Sequence, residues 1–550
     1  MLVRAVPVLV LAVSAFGVGV LIAVRHGRHE RQLVTSYVVD WEHRRVGAMY
    51  ALLDQSSQLA TTESQFSHEL AAAAQIATLT ALRVLRVGSP HGRTIDVSMR
   101  VGTRLWGTLS ETLIVPLTGS GAAARVHLAP ELLFPGLRPG ETLSRRTVLP
   151  PRATLLAANG TPLAEGPGRT SPIPNIAGEI VGSLGPIPAT LRSSYVRQGY
   201  PSNAQIGQDG LELVFQRRLV GRIGGVLLGG RRVLARATPV EAPPVRTTIN
   251  PTLEQTAITA MGGKLAGIAV MDPHTGALLA LSGIAYSAPQ PPGSTMKIIT
   301  STAALQAGLV KLGTVFPNAT STTLDGYTMH NAGGESCGGT LLNAFAVSCN
   351  SVFAPLGAEV GGARLVRTAQ LYGFDRPTGI PGALESTIPP ASQIGDALSV
   401  GSSAIGQGLV QATPLEMADV AATVAMGGWR PIPTLLAGEP PRFVHVTSTR
   451  VAGEVQQMMI AVVRYGTGTT AQIPGVEVAG KTGTAEVRNS TGAPNSAQAN
   501  NPRNSDAWFV GYAPVGDPSV VAAAMFPNQG YGAGAAAPAV RAVIESALAG

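Results

Sequence analysis

Pro291-Pro292-Gly293-Ser294-Thr295-Met296-Lys297 is followed by the apolar Ile298-Ile299 at the head of a run reaching Leu305. The prolines and the glycine interrupt whatever precedes them, and the run that follows predicts a buried helix with Ser294 at its mouth. Lys297 lies three residues on, and residues three apart share a helix face, so the spacing expects hydroxyl and amine to meet. A serine hydroxyl is a poor nucleophile until a neighbouring base takes its proton. A lysine serves as that base only where burial or nearby positive charge lowers its pKa. A serine that opens a helix is more often a cap. Support has to come from elsewhere in the chain.

The first support is compositional. Of 40 basic residues only four are lysines, Lys264, Lys297, Lys311 and Lys481. A general preference for arginine does not explain lysine at 297 and 481, whereas amine chemistry does, because a guanidinium does not deprotonate. The net charge of +8 suits an anionic membrane surface or wall polymer, but no basic block carries interleaved aromatics, so nucleic acid is not an expected partner. No metal-ligand spacing occurs, and neither a metal nor a cofactor is expected.

Two further motifs follow in order. Ser348-Cys349-Asn350 is the only S-x-N, embedded in the helical pattern Leu341 to Leu356, and Lys481-Thr482-Gly483-Thr484 is the only K-T-G, on an alternating strand. In the order S-x-x-K, S-x-N, K-T-G they match the set found in serine β-lactamases and penicillin-binding proteins. The residue types suit acyl transfer. Ser294 would attack a carbonyl and form an acyl ester, with Lys297 accepting its proton. Ser348 and Asn350 would relay the proton and hold the substrate amide, Cys349 between them pointing away. Lys481 would add positive potential that draws an anionic substrate and keeps Lys297 neutral. Thr482 and Thr484 offer hydroxyls to a terminal carboxylate, and Gly483 would let a substrate strand lie close.

The resemblance extends beyond the motifs. Gly406-Gln407-Gly408 with Ala412-Thr413-Pro414-Leu415-Glu416-Met417-Ala418, and Asp506 to Pro514, resemble segments of class B, monofunctional penicillin-binding proteins. Upstream, the Asn159-Gly160 hairpin pattern and Gly207-Gln208-Asp209-Gly210-Leu211-Glu212 resemble that family's linker region. The likeness covers about residues 145 to 550. It implies an α/β transpeptidase domain of the serine β-lactamase-like kind, and an oxyanion hole at the backbone N–H groups of Ser294 and Thr484. It also implies peptidoglycan stem peptides and β-lactams as ligands, with a polytopic glycan polymerase as one partner.

Ahead of these segments, Ala5 to Val24 is a charge-free run long enough to span a bilayer, with no clear cleavage site after it. It is expected to be an uncleaved anchor in the cytoplasmic membrane. Arginines flank both ends, so charge does not orient it; an extracytoplasmic substrate would. Gln32 to Leu59 is amphipathic, Phe66 to Ile76 continues as helix, and from Ala81 the pattern alternates as in strands. This α+β region resembles, around Trp41, Arg45, Met49-Tyr50 and Phe66, the cone-shaped domain related to nuclear transport factor two at the front of low-affinity penicillin-binding proteins. The expected organisation is an anchor over 1–25, the cone-shaped domain over 30–144, an elongated dimerisation or linker domain over 145–245, and the transpeptidase domain over 250–550.

The function expected is a membrane-anchored, serine-type D,D-transpeptidase with its catalytic domain outside the membrane. A hydrolase, either D,D-carboxypeptidase or β-lactamase, is the first alternative; it needs a base to activate water, for which Glu359 and Glu385 are candidates by position alone. A β-lactam-sensing receptor is the second, set against by the single span and the missing H-E-x-x-H of a protease module. Cys337 and Cys349 are the only cysteines, and the sequence leaves open whether they pair or remain buried thiols.

Overall fold

A computed structural model describes residues 27–486 and 504–549. The expected anchor lies outside the described residues, and among these no helix is long and apolar enough to cross a membrane. The chain divides into two compact units. One comprises residues up to Ala153 with Gly185–Ile206 and Val220–Pro243; the other comprises Thr154–Leu184, Gly207–Leu219 and Pro244 onward. The stretch expected as a linker is therefore shared between the two.

In the first unit a helix over residues 27–42 is followed by three more, Val46–Ala51, Gln55–Ala60 and Glu63–Ile76. The amphipathic pattern that looked continuous to Leu59 is thus cut twice. The first restart, at Arg45, has no side-chain cap; at the second Asp54 accepts from the Ser57 N–H, and beyond Leu59 Thr62 with Gln65 forms a reciprocal capping box at the start of the last helix. Four antiparallel strands follow, Leu79–His91, Thr94–Thr103, Gly107–Thr118 and Arg125–Val126, neighbours in that order. The second alternates so that Ile95, Val97, Met99 and Val101 face inward, and the first three pack with Tyr37, Val38 and Trp41 of the leading helix. One face is core and the other is wet. A separate three-stranded antiparallel sheet, Arg232–Ala237, Gly224–Gly229 and Leu143–Val148, belongs to this unit too.

The second unit is built on a five-stranded antiparallel sheet. Its strands are β1 (Gly267–Met271), β2 (Leu278–Gly283), β3 (Ala479–Glu486), β4 (Ser505–Ala513) and β5 (Val520–Phe526), in the spatial order β2-β1-β5-β4-β3. Distant parts of the chain thus complete one sheet, as the strands at both ends of the region predicted. Helices α1 (Pro251–Met261) and α7 (Ala536–Ala549) cover one face through Leu253, Ala257, Val540, Val543 and Ile544. On the other face pack α2 (Lys297–Gln306), α3 (Leu341–Ala346), α4 (Asn350–Val360), α5 (Pro414–Ala425) and α6 (Thr449–Arg464), as helix layers behind and beside the sheet. β4 and β5 are buried along their whole length, which is why β5 reads as an unbroken apolar run and β4 as one from Ala507 onward; the alanines at 522–524 let helices approach both faces. β3, the K-T-G strand, is the sheet edge, with one side of its backbone not paired within the sheet.

Candidate active site

α2 is buried from Lys297 to Leu305 as a central helix, and its buried Thr300 and Thr302 hydroxyls are satisfied by the Ala404 carbonyl and the Tyr372 hydroxyl. A 3₁₀ turn, Gly293–Met296, leads into it and presents Ser294. Gly293 has φ 54°, and a Cβ there would come within 2.7 Å of the Thr484 carbonyl oxygen. Only glycine suits both the left-handed backbone and that approach, and the approach sets the Ser294 turn against the end of the K-T-G-T sequence. The Gly293 N–H donates to the Gly406 carbonyl, so the Gly406-Gln407-Gly408 segment buttresses the same turn.

The S-x-N motif lies at a break, not inside one helix. α3 ends at Ala346 and α4 begins at Asn350, with Ser348 at φ 61° between them. The apolar period runs through the break because both helices bury the same face, which is why sequence periodicity predicted one helix. The break turns Ser348 and Asn350 toward α2. The Lys297 amine donates to the Ser348 carbonyl at 2.7 Å, to Asn350 Oδ1 at 2.8 Å and to the Ser348 hydroxyl at 3.3 Å. The Ser294 hydroxyl is not among its partners, so the hydroxyl–amine contact expected from the spacing is not made. Catalytic hydrogen bonds are often long without substrate.

From the opposite wall the Lys481 amine donates to the Ser348 hydroxyl at 2.9 Å and to the Thr482 carbonyl at 2.9 Å. Ser348 Oγ therefore stands between two buried amines. Phe353 and Phe345 present their rings to Lys297 and Lys481, each at 5.5 Å. Both lysines are fully buried. Burial, and then the Lys481 charge, holds the Lys297 amine well below the usual lysine range. Burial alone brings Lys481 down to about 7. A neutral amine at 297 can accept a proton, which an ordinary lysine at neutral pH cannot.

These side chains surround a cavity of about 510 Å³ lined by Ser294, Ser348, Asn350, Thr482 and Thr484, with Gln407, Thr467 and Tyr531 among the others. Lys297 and Lys481 stand behind that lining through their bonds to Ser348. Gly483 does not line it. Thr482 and Thr484 face the cavity, while Gly483 points the other way, its missing side chain replaced by Pro292 and Trp508. Glu359 and Glu385 do not line it either; among the described residues its carboxylates are Glu335 and Glu486. With them the cavity holds no cluster of metal-ligating type, and none occurs among the described residues.

Cys337 and Cys349 are joined in a disulfide, which settles the alternative left open by the sequence. Cys349 is fully buried and does not line the cavity, as expected of the middle residue of the motif, while its partner Cys337 is part of the cavity wall. Short hairpin strands between Val315 and Thr340, which periodicity did not predict, carry Cys337 and His330, and the buried Asn331 follows directly on His330. Asn331 holds the S-x-N turn from below, accepting from the Ser351 N–H at 2.8 Å and donating to the Ala319 and Glu335 carbonyls. The disulfide closes a loop of sequence separation 12, so replacing Cys337 by serine should lower the unfolding free energy by ~2–3 kcal/mol. Denaturant titration checks this, and an unchanged midpoint would contradict it.

Residues 266–545 match the penicillin binding protein transpeptidase domain, and residues 141–229 match the penicillin-binding protein dimerisation domain. The chain belongs to the penicillin-binding protein transpeptidase family. It is 38% identical over 291 residues to the peptidoglycan D,D-transpeptidase PbpA of Mycolicibacterium smegmatis, covering 48% of this chain and 56% of that protein. It is 32% identical over 373 residues to PbpA of Mycobacterium tuberculosis, covering 56% and 72%. Among solved structures, PBPA from M. tuberculosis superposes with TM-score 0.58 at 26% identity, covering 72% of this chain and 99% of that one. Its imipenem acyl-enzyme complex superposes with TM-score 0.57 at the same identity and coverage.

Proposed function

We propose that the protein is a serine-type D,D-transpeptidase that cross-links peptidoglycan stem peptides, with Ser294 as the nucleophile. The observation that carries the reading is the convergence of all three motifs on one cavity, with two buried, pKa-depressed amines flanking the Ser348 hydroxyl. The Ser294 oxygen attacks the penultimate D-Ala carbonyl, and its proton passes to neutral Lys297, directly or through Ser348. The backbone N–H groups of Ser294 and Thr484 stabilise the oxyanion, consistent with the close approach of Gly293 to Thr484. As the C–N bond breaks, the leaving D-Ala takes a proton through the same relay, and an amine of a neighbouring stem then attacks the ester and releases Ser294. β-Lactams acylate the same oxygen, as the relatives' acyl-enzyme complexes do in theirs.

The finer organisation follows the same reading. The run over 5–24 anchors the chain in the cytoplasmic membrane and places the catalytic unit on the outer side, within reach of a polytopic polymerase. The helix-and-sheet front unit serves as a cone-shaped spacer, and residues 145–245 as an elongated linker. The transpeptidase and hydrolase readings part at deacylation. Full-length protein given a D-Ala-D-Ala donor and an amine acceptor should release D-Ala and form the amide-linked product. Its penicillin adduct should persist for many minutes. Adduct loss within seconds, with no amide product, would overturn the proposal in favour of a β-lactamase.

A further inference from the structure

Thr467 belongs to none of the three motifs, yet it touches two of them. It lies just beyond the C-terminus of α6 and lines the cavity. Its N–H donates to the Ala346 carbonyl at 3.1 Å, at the end of α3 and two residues before Ser348. Its hydroxyl lies 2.5 Å from the Thr482 hydroxyl, on the K-T-G strand. The flanking glycine makes this placement possible: a Cβ at Gly466 would come within 2.1 Å of the Ala346 carbonyl oxygen. The chain is thus wedged between the S-x-N turn and β3, with one hydroxyl aimed at the strand.

The hydrogen-bond inventory of the two hydroxyls decides what this does. Each threonine has one proton and two lone pairs. The other acceptor near Thr467 Oγ1 is the Ala346 carbonyl, at a weak 3.5 Å and already engaged by the backbone N–H. Protonated Lys481 is only a donor, and it reaches Thr482 Oγ1 at 3.5 Å. The favoured arrangement has Thr467 donating to Thr482, which leaves the Thr482 proton free to point into the cavity. A carboxylate there accepts it.

We infer that Thr467 is a specificity-determining positioning residue: by donating to Thr482 it orients that hydroxyl as a donor to the terminal carboxylate of the acyl donor. The inference rests on the proposed acyl transfer at Ser294. It assigns Thr467 to recognition of the anionic end of the substrate and not to the proton relay, from which its hydroxyl is separated by Thr482 and Lys481.

The test uses the full chain and compares acylation rate constants for a penicillin and for its methyl ester, which lacks the carboxylate. Thr467→Val keeps the backbone bond to Ala346 and removes only the hydroxyl; Thr467→Ala substitutes for it if the valine variant fails to fold. The free acid should react about 10- to 100-fold more slowly with the variant, as expected for a weakened hydrogen bond to a charged group. The loss should appear in the binding constant of the non-covalent step. The ester should react with the variant within about twofold of the wild-type rate, and adding Thr467→Val to Thr482→Val should cost nothing further. Equal losses for acid and ester, or no loss for either, would overturn the assignment of Thr467 alone. Wild-type protein that forms no adduct with either compound would overturn the function and this inference together.

Discussion

Ser294→Ala is expected to fold as the wild type does and to take up no covalent label from a penicillin. The acylation rate constant should fall by at least about 10⁴-fold, because the variant lacks the proposed nucleophile and the remaining contacts only bind. Folding should survive because the Ser294 hydroxyl opens onto the cavity and bonds to neither lysine. Removing it strands no buried donor and opens no hole in the core, so the melting temperature should move by no more than about 2 °C. Intact-mass measurement after incubation reads the result directly. An adduct on the alanine variant would move the nucleophile elsewhere, and Ser348, whose hydroxyl is bonded to both amines, would be the residue to examine.

The parts of this site legible in the sequence are those where chemistry restricts the residue type. Lys297 and Lys481 stood out because an arginine-dominated chain keeps lysine where an amine must lose a proton, and both prove to be buried. The sheet was legible as well, since β5, and β4 from Ala507, are largely apolar on both faces and β1 and β2 form a hairpin around Asp272 to Gly276. What escaped was set by tertiary contact. The α3–α4 break leaves no mark on periodicity, because Ser348 takes its left-handed backbone while apolar residues on either side continue to fill one core. Gly483 was assigned to the substrate, but its neighbours Pro292 and Trp508 occupy the space a side chain would need. Cysteines 12 residues apart can pair or not; a Cα separation of 5.8 Å, invisible in sequence, allows it. Thr467 is one threonine among several, and its only signal was a glycine on each side.

The two lysines make the second large prediction, and they have to be tested together. Lys297→Met should slow acylation by about 10²- to 10⁴-fold, the range for loss of a general base. In the wild type the ascending limb of the acylation pH profile should report deprotonation of Lys297, below the ordinary lysine range because the amine is buried and faces the Lys481 charge. Lys481→Met removes that charge while keeping the burial. The Lys297 pKa then rises, and the ascending limb should shift to higher pH; a limb that stays in place would show that the two amines do not interact. Stability gives an independent reading. Burial favours the neutral amine, so Lys481 titrates near 7 in the folded protein and near 10.5 in the unfolded chain. Between those values the unfolded state binds more protons, and wild-type stability should therefore gain from this group as pH rises from about 7 toward 10.5. Lys481→Met lacks that gain. Denaturant midpoints at pH 7 and pH 10 should differ less in the variant than in the wild type, and at pH 7 the variant should be no less stable even though it acylates poorly. Parallel pH dependence in the two proteins would mean that Lys481 keeps an ordinary pKa in the fold, and that the low-pKa base at Ser294 has to be sought without it.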